Sequence, residues 1–241
     1  MNTQNYNGKL IFFKDFFSQD IISGITLKNL GDFNATTQKD EQKRNKALGR
    51  IKKFQNLLGV NYFFLPFPEQ KDKCWFVKPG GKRPQIKKCD ALFLKTGVFP
   101  ERSKIALGFT TGDCPIIIGS DGGNFFLIHS GLYGTNLGIG GKLLKKFSSQ
   151  GLNLEKTKII IWGGICPRCY EIGEEWKNVF SRLMENNRLD LASIIELQLL
   201  EIGVRNSNLT IFRKCSYESK DLFSFRAGEM ERNLIFLKTI T

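Results

Sequence analysis

Residues 110–135 read TTGDCPIIIGSDGGNFFLIHSGLYGT. Two short apolar runs, 115–119 and 124–129, flank Ser-Asp-Gly-Gly. Asp-Gly between apolar runs predicts a β-hairpin, because a tight primed turn needs positive φ at its centre. With the turn centred on Asp121–Gly122, residue 119 faces 124, residue 117 faces 126, and Cys114 faces His129. Opposed residues of an antiparallel pair carry their Cβ atoms roughly 4.5–5.5 Å apart on one face. His129 is the sole histidine of the chain, so this meeting of thiol and imidazole marks a candidate reactive site. A one-residue bulge would send the two groups to opposite faces, so the inference stands on the register.

At 241 residues the chain is long enough to bury a sizeable core, and one domain over 1–241 is expected. No apolar run approaches the ~20 residues of a spanning helix, so no membrane association is expected. The opening MNTQNYNGK lacks the apolar stretch of a secretory leader. The six cysteines, at 74, 89, 114, 166, 169 and 215, are irregularly spaced. They read as reduced thiols of a cytoplasmic protein rather than a disulfide framework. The net charge of +13 admits phosphate-bearing partners, nucleotides or nucleic acid. The lysines are scattered and accompany no nucleic-acid motif, which favours a compositional origin.

Outside the hairpin, residues 9–14 predict a first strand. Residues 36–58 predict a helix with apolar residues at 47, 48, 51, 54, 57 and 58 and a left-handed cap at Gly59. Further strands are predicted at 62–67, 74–77, 91–94, 105–110, 158–162 and 209–212, with a closing strand around 234–237. Residues 78–84 read as a surface loop. A helix after His129 is expected to bury Leu137, Leu143, Leu144 and Phe147. Another carries Trp176, Val179, Phe180 and Leu183, and a third spans 189–202, ended by Gly203. Strands interleaved with single helices indicate an α/β or α+β class.

Cys114 and His129 admit three readings: a nucleophile and base, two ligands of a zinc site, or a core thiol beside a satisfied histidine. Asp113 adds a carboxylate at the same end of the hairpin. Glycines after His129 allow a sharp turn into a helix whose first N–H groups would favour an anion near Gly131. Cys166-x-x-Cys169 lacks a second such pair or a spare histidine in the sequence, and reads as incidental. Multicopper chemistry is not expected, since those centres consume many imidazoles and this chain has one.

These residues carry a resemblance. The 110–135 stretch resembles the ADC…HAGWRG core of the YfiH/laccase-domain family, also described as polyphenol oxidases and regarded as purine nucleoside phosphorylases with adenosine deaminase activity. Further pieces follow in the family's order. Arg44-Asn45-Lys46 resembles its ENR helix and Asp90-Ala91-Leu92 its DAL strand. Cys169-Tyr170-Glu171-Ile172-Gly173 is similar to CYEVG, and Leu189-Asp190-Leu191 with Gln198-Leu199 to LDL…QL. Cys215 followed by Phe223-Ser224-Phe225-Arg226 is similar to C…FSYR, and Glu231-Arg232 stands near TGR. The similarity covers most of the chain from about residue 25.

The resemblance implies an α/β/β/α sandwich with mixed sheets and a site holding a cysteine and two histidines able to bind zinc. Cys114 and His129 stand at the cysteine and the second histidine. The first histidine, of a QVHG motif, belongs within residues 65–73, where none is present. Tyr133 stands at the arginine of HAGWRG and Ala227 at the second arginine of FSYRR. The family's N-terminal RxGG has no clear match in 15–24. Zinc binding is therefore expected to be weakened unless Glu69, Asp72 or, with most interest, Cys74 supplies a third ligand.

The activity so implied is phosphorolysis of adenosine or inosine, with adenosine deamination as a companion reaction. Catalysis is assigned to Cys114, His129 and Asp113. Substrate and phosphate are assigned to Arg226, Arg232, Gly131, Tyr133 and Asn45, guanidinium groups offering two-point hydrogen bonding to phosphate. A member that binds nucleoside without turnover, or a basic RNA- or protein-binding module on the same fold, are the alternatives. The chain is expected to act as a monomer.

Overall fold

A computed structural model describes residues 2–69, 71–81 and 83–240. Gln70, within the 65–73 segment, and Lys82, within the predicted 78–84 loop, lie outside the described residues. Strands β1 (Asn2–Tyr6), β2 (Leu10–Lys14) and β3 (Ile22–Thr26) precede helix α1 (Glu41–Leu58). Then come β4 (Tyr62–Phe67), β5 (Cys74–Phe76), β6 (Gln85–Lys88), β7 (Ala91–Lys95) and β8 (Lys104–Thr111). The central hairpin is β9 (Ile116–Ser120) and β10 (Asn124–His129), followed by α2 (Leu132–Asn136) and α3 (Ile139–Ser148). Next are β11 (Lys158–Trp162), α4 (Glu174–Phe180) and a small hairpin, β12 (Met184–Glu185) with β13 (Arg188–Leu189). The chain closes with α5 (Leu191–Glu201), β14 (Leu209–Phe212) and β15 (Asn233–Ile240).

Two mixed sheets result, ordered β1-β2-β3-β15-β8-β4-β6 and β14-β11-β9-β10-β7-β5. The alternation of side chains along each strand sorts the residues into layers. In β10, Phe125 and Leu127 join Ile116, Ile118, Phe109, Ile235 and Trp162 in the core between the sheets. Phe126 and Ile128 point the other way, with Ile117, against Leu143, Leu144 and Phe147 of α3 and Ile195 and Leu199 of α5. On the far side Ala47, Ile51 and Phe54 of α1 pack on Phe63 and Phe236 of the first sheet. The layers run helix, sheet, sheet, helix, an α/β/β/α sandwich.

The hairpin forms, in a different register from the one predicted. His129 pairs with Ile116 and Phe126 with Gly119, two residues away from the expected alignment. The reason is turn chemistry. Asp121 Oδ1 accepts from Gly123 N at 3.0 Å and Asn124 N at 2.8 Å, and the Asp121 N–H donates to Asn124 O at 3.3 Å. Asp121 thus sits before the turn, closing it with its side chain, and Gly122 (φ 101°) and Gly123 form its centre. Pro115 has no N–H to give the ladder, so β9 begins after it. Because the shift is an even number of residues, Cys114 and His129 keep the same facing, toward the gap between the sheets.

Other expectations need correction. Gly59 caps α1 at φ 62° as predicted, but the helix starts at Glu41, where the Asp40 side chain accepts from Lys43 N. Leu48 and Leu57 are exposed, as are Leu137, Val179 and Leu183. Leu137 falls at the junction of α2 and α3, and α4 is too short to bury a full stripe. Strand β1, exposed throughout, pairs along its length with β2 although its polar sequence carries no strand pattern.

Candidate active site

The open end of the β9–β10 hairpin lies at the mouth between the two sheets. His129 leaves β10 with its N–H donating to the Asp90 carbonyl at 2.9 Å. Its ring stacks on Phe109, 5.5 Å between centroids with 16° between planes. Cys114 is fixed just before β9, its carbonyl accepting from Thr111 Oγ1 at 2.8 Å. Gly131 lies between the two: a Cβ there would sit 2.9 Å from Cys114 Sγ and 3.3 Å from His129 Cε1. Its φ of −69° is open to any residue, so glycine is needed at this position for space alone.

A cavity of about 450 Å³ opens here. Of the residues singled out from sequence, Asp113, Cys114, His129, Gly131, Tyr133, Arg226 and Arg232 line it. Asn45 does not; it is exposed on α1, beyond the first sheet. Cys74 does not either: β5 is the edge strand beside β7, and Cys74 lines a separate hollow with Trp75, Phe76 and Lys87. Strand pairing with Ala91 fixes Cys74 in that place.

Eight further residues that sequence reasoning did not assign line the cavity, Lys71, Asp90, Tyr170 and Phe225 among them. Lys71 comes from the segment where a histidine was sought. Its N–H donates to Asp90 Oδ2 at 2.9 Å, and the Glu69 N–H to Asp90 Oδ1 at 2.9 Å, so buried Asp90 shapes that loop. Asp90, Tyr170 and Phe225 stand inside three of the motifs quoted above, but motif membership alone gives no direction for a side chain.

Burial governs the electrostatics. Enclosure holds the His129 imidazole down at about 4, so it is neutral at pH 7. Enclosure, with a smaller push from Asp113, raises the Cys114 thiol to about 11, against the opposing pull of Arg232. The pair is thus a protonated thiol beside a neutral imidazole, which suits hydrogen-bond donation better than thiolate attack. Enclosure, assisted by Cys114, also lifts the Tyr170 phenol to about 12.

Asp113 is occupied as a strut, accepting from Ser216 Oγ at 2.6 Å and from the Arg226 N–H at 2.7 Å. The Arg226 guanidinium lies 5.3 Å over the Tyr170 ring and donates to the Glu171 carbonyl at 2.8 Å. Arg232 lies 5.4 Å over the Phe225 ring and donates through Nη1 to the Glu229 and Glu231 carbonyls at 3.0 and 2.8 Å. Both guanidinium groups keep further N–H donors and face the cavity with Lys71. Helix α2, begun at Gly131, has only five residues, so its dipole adds little to anion binding.

The donor set does not fit a zinc ion held by Cys114 and His129. Among the described residues no third histidine, cysteine or carboxylate groups with that pair. Glu69 is tied to Lys73 at 2.7 Å. The loop brings the cation Lys71 to the cavity instead, which opposes a metal electrostatically. A different cluster does exist: Cys166, Cys169, Cys215 and Glu218 hold their ligand atoms within 4.8 Å of one another and could bind a metal ion. The reading of Cys166-x-x-Cys169 as incidental rested on want of partners, and the tertiary structure supplies two.

This sandwich is known from solved structures. The chain superposes on Bacillus licheniformis hypothetical protein YfiH with a TM-score of 0.81 at 18% identity, covering 98% of each chain. YlmD from Geobacillus stearothermophilus gives 0.80, also at 18% identity and 98% of each chain. Residues 22–236 match the family described as multi-copper polyphenol oxidoreductase laccase, and the chain belongs to that family. Among relatives, the purine nucleoside phosphorylase Cj1217c of Campylobacter jejuni is 27% identical over 146 residues, 58% of this chain and 64% of its own length. A purine nucleoside phosphorylase of Aquifex aeolicus is 25% identical over 190 residues, covering 77% of this chain and 86% of its own. Among the described residues no helix is long and apolar enough to cross a membrane.

Proposed function

We propose that the protein is a purine nucleoside phosphorylase acting on adenosine or inosine at the Cys114–His129 cavity. The observation that carries this reading is one nucleoside-sized cavity in which three cations, Lys71, Arg226 and Arg232, stand with a neutral imidazole and a protonated thiol. The names of the Campylobacter and Aquifex relatives support the same chemistry.

Phosphate binds to the Arg226 and Arg232 guanidinium groups, with Lys71 adding charge at the rim. A phosphate oxygen forms the bond to the ribose C1′ as the bond from C1′ to the purine nitrogen breaks. The electron pair passes to the base, which is stabilised by a hydrogen bond from the neutral His129 imidazole and by hydrogen bonding or proton donation from the Cys114 thiol. Tyr133, held edge-on to Trp176 at 4.7 Å, and Phe225 offer apolar surface for the base. Deamination would need an activated water, for which Cys114 and His129 by themselves hold no metal. A single domain in the reducing cytoplasm accords with six free cysteines.

The test is release of hypoxanthine from inosine, or adenine from adenosine, with and without phosphate. Phosphate-dependent release that falls about 100-fold or more in His129→Ala and Cys114→Ala is expected, the size typical of a lost hydrogen-bond donor to developing charge. Nucleoside binding without phosphate-dependent release points to a binding protein instead. Salt-sensitive RNA binding unaffected by Cys114→Ala would point to the basic-module reading.

A further inference from the structure

We propose that Cys166, Cys169, Cys215 and Glu218 form a tetrahedral site for zinc, separate from the catalytic cavity. The first two donors come from the turn that leaves β11, a single 3-10 turn over Pro167–Cys169 in which the Cys169 N–H donates to the Cys166 carbonyl at 3.0 Å. The other two come from the turn after β14, closed by the Ser219 N–H on the Cys215 carbonyl at 3.1 Å. Each turn places its pair three residues apart. β11 and β14 are parallel neighbours, Trp162 beside Phe212, so both turns emerge at the same end of the sheet. The two pairs are brought face to face by the register of two strands nearly fifty residues apart in sequence.

The spacing suits the ion. Zinc with sulfur at about 2.3 Å and oxygen at about 2.0 Å makes a tetrahedron with edges of about 3.8 Å between sulfurs and about 3.5 Å between sulfur and oxygen. All four ligand atoms lie within 4.8 Å of one another, and Cys169 Sγ is already 3.5 Å from Glu218 Oε1. Closing on an ion asks for rotamer adjustment, not for movement of the strands. Three thiolates and a carboxylate are a soft, strongly anionic set that favours zinc over calcium or magnesium.

The surroundings are those of an outer shell that orients ligands. The Cys166 N–H donates to Cys215 Sγ at 3.3 Å. Arg168 donates to both Glu218 oxygens, at 3.2 and 3.3 Å, and offsets part of the negative charge, while Arg213, paired with Asp190 at 2.8 Å, lines the same hollow. The hollow, about 340 Å³, leaves a path for the ion.

The site would join two segments that support the catalytic cavity. Tyr170 follows Cys169 directly, and Ser216, next to Cys215, donates to Asp113 at 2.6 Å. The Ser216 N–H also donates to Gly164 O at 3.0 Å, and the Ile165 N–H to Asp113 O at 3.0 Å. Metal there is structural: it closes a long loop in the folded state and adds its binding energy to folding.

The test is metal analysis of full-length protein made in zinc-supplemented medium and purified with reductant and without chelator. We expect about one zinc per chain in the wild type and in Cys114→Ala, falling to below about a tenth in Cys169→Ser, because a structural site needs its full ligand set. Glu218→Gln, at the exposed rim, should weaken retention against a chelator about tenfold or more without loss of fold. Titration of the reduced, metal-free protein with cobalt should give a thiolate charge-transfer band in the wild type that is nearly absent in Cys169→Ser. No zinc and no cobalt band in folded, reduced wild type overturns the proposal. So does zinc lost in Cys114→Ala but kept in Cys169→Ser.

Discussion

His129 is where burial, chemistry and a measurable consequence meet. The folded chain resists protonating it until about pH 4, whereas an unfolded histidine takes the proton near 6.5. Between those values the unfolded state binds more protons, so stability falls as pH falls through this window. From pH 7 to 4.5 the loss is about 2–3 kcal/mol from this group. His129→Gln should lack that component, and urea unfolding of both proteins at the two pH values checks it. Equal pH dependence in wild type and variant would show the imidazole to be freely solvated. The same enclosure accounts for a Cys114 that stays a thiol at pH 7, which is why the site is better read as a pair of hydrogen-bond donors than as a nucleophile.

At the scale of elements, the hairpin turn fixes which residues reach the cavity. Asp121 accepts not only from Gly123 and Asn124 but also, through Oδ2, from Asn124 Nδ2 at 2.9 Å and the Asn153 N–H at 2.8 Å. It therefore ties the turn to the loop after α3. Asp121→Ala leaves these donors without their acceptor and should cost about 1–3 kcal/mol, the range for partners left unpaired. Thermal melts measure the loss. Activity per folded molecule should change little, because β10 also pairs with β7 from Asn124 to Ile128 and so holds the register. Strand β4 shows the converse lesson: its run Tyr62–Phe67 was plain in the sequence, but the loop that follows was not. Asp90 draws the Glu69 and Lys71 N–H groups inward, and a carboxylate twenty residues away leaves no periodic trace.

For the whole molecule, the core between the sheets and the site are one structure. Phe109 is fully buried in that core and is also the platform under the His129 ring. Phe109→Ala should destabilise the protein by about 3–5 kcal/mol through lost burial and a cavity. Water reaching the imidazole should also raise its pKa toward the ordinary value. His129 is the only histidine, so its ring-proton NMR signal reports that shift without interference. A large stability loss with an unmoved titration would separate packing from the site. Part of the net charge of +13 lies outside the cavity on α1, where Lys43, Arg44, Lys46, Lys52 and Lys53 are exposed to solvent.

The sequence by itself determined the layered α/β class, the apolar strands, the cap at Gly59, and the neighbourhood of Cys114, His129, Arg226 and Arg232. These rest on local causes: side-chain periodicity, turn chemistry, and motifs that survive as contiguous strings. Only the tertiary structure decided the hairpin register, the entry of Lys71, Asp90 and Tyr170 into the cavity, and the exclusion of Asn45 and Cys74. It alone brought Cys215 and Glu218 to Cys166 and Cys169. Each depends on contacts between residues far apart in the chain, whose free energy is settled by how strands from distant segments pair and pack.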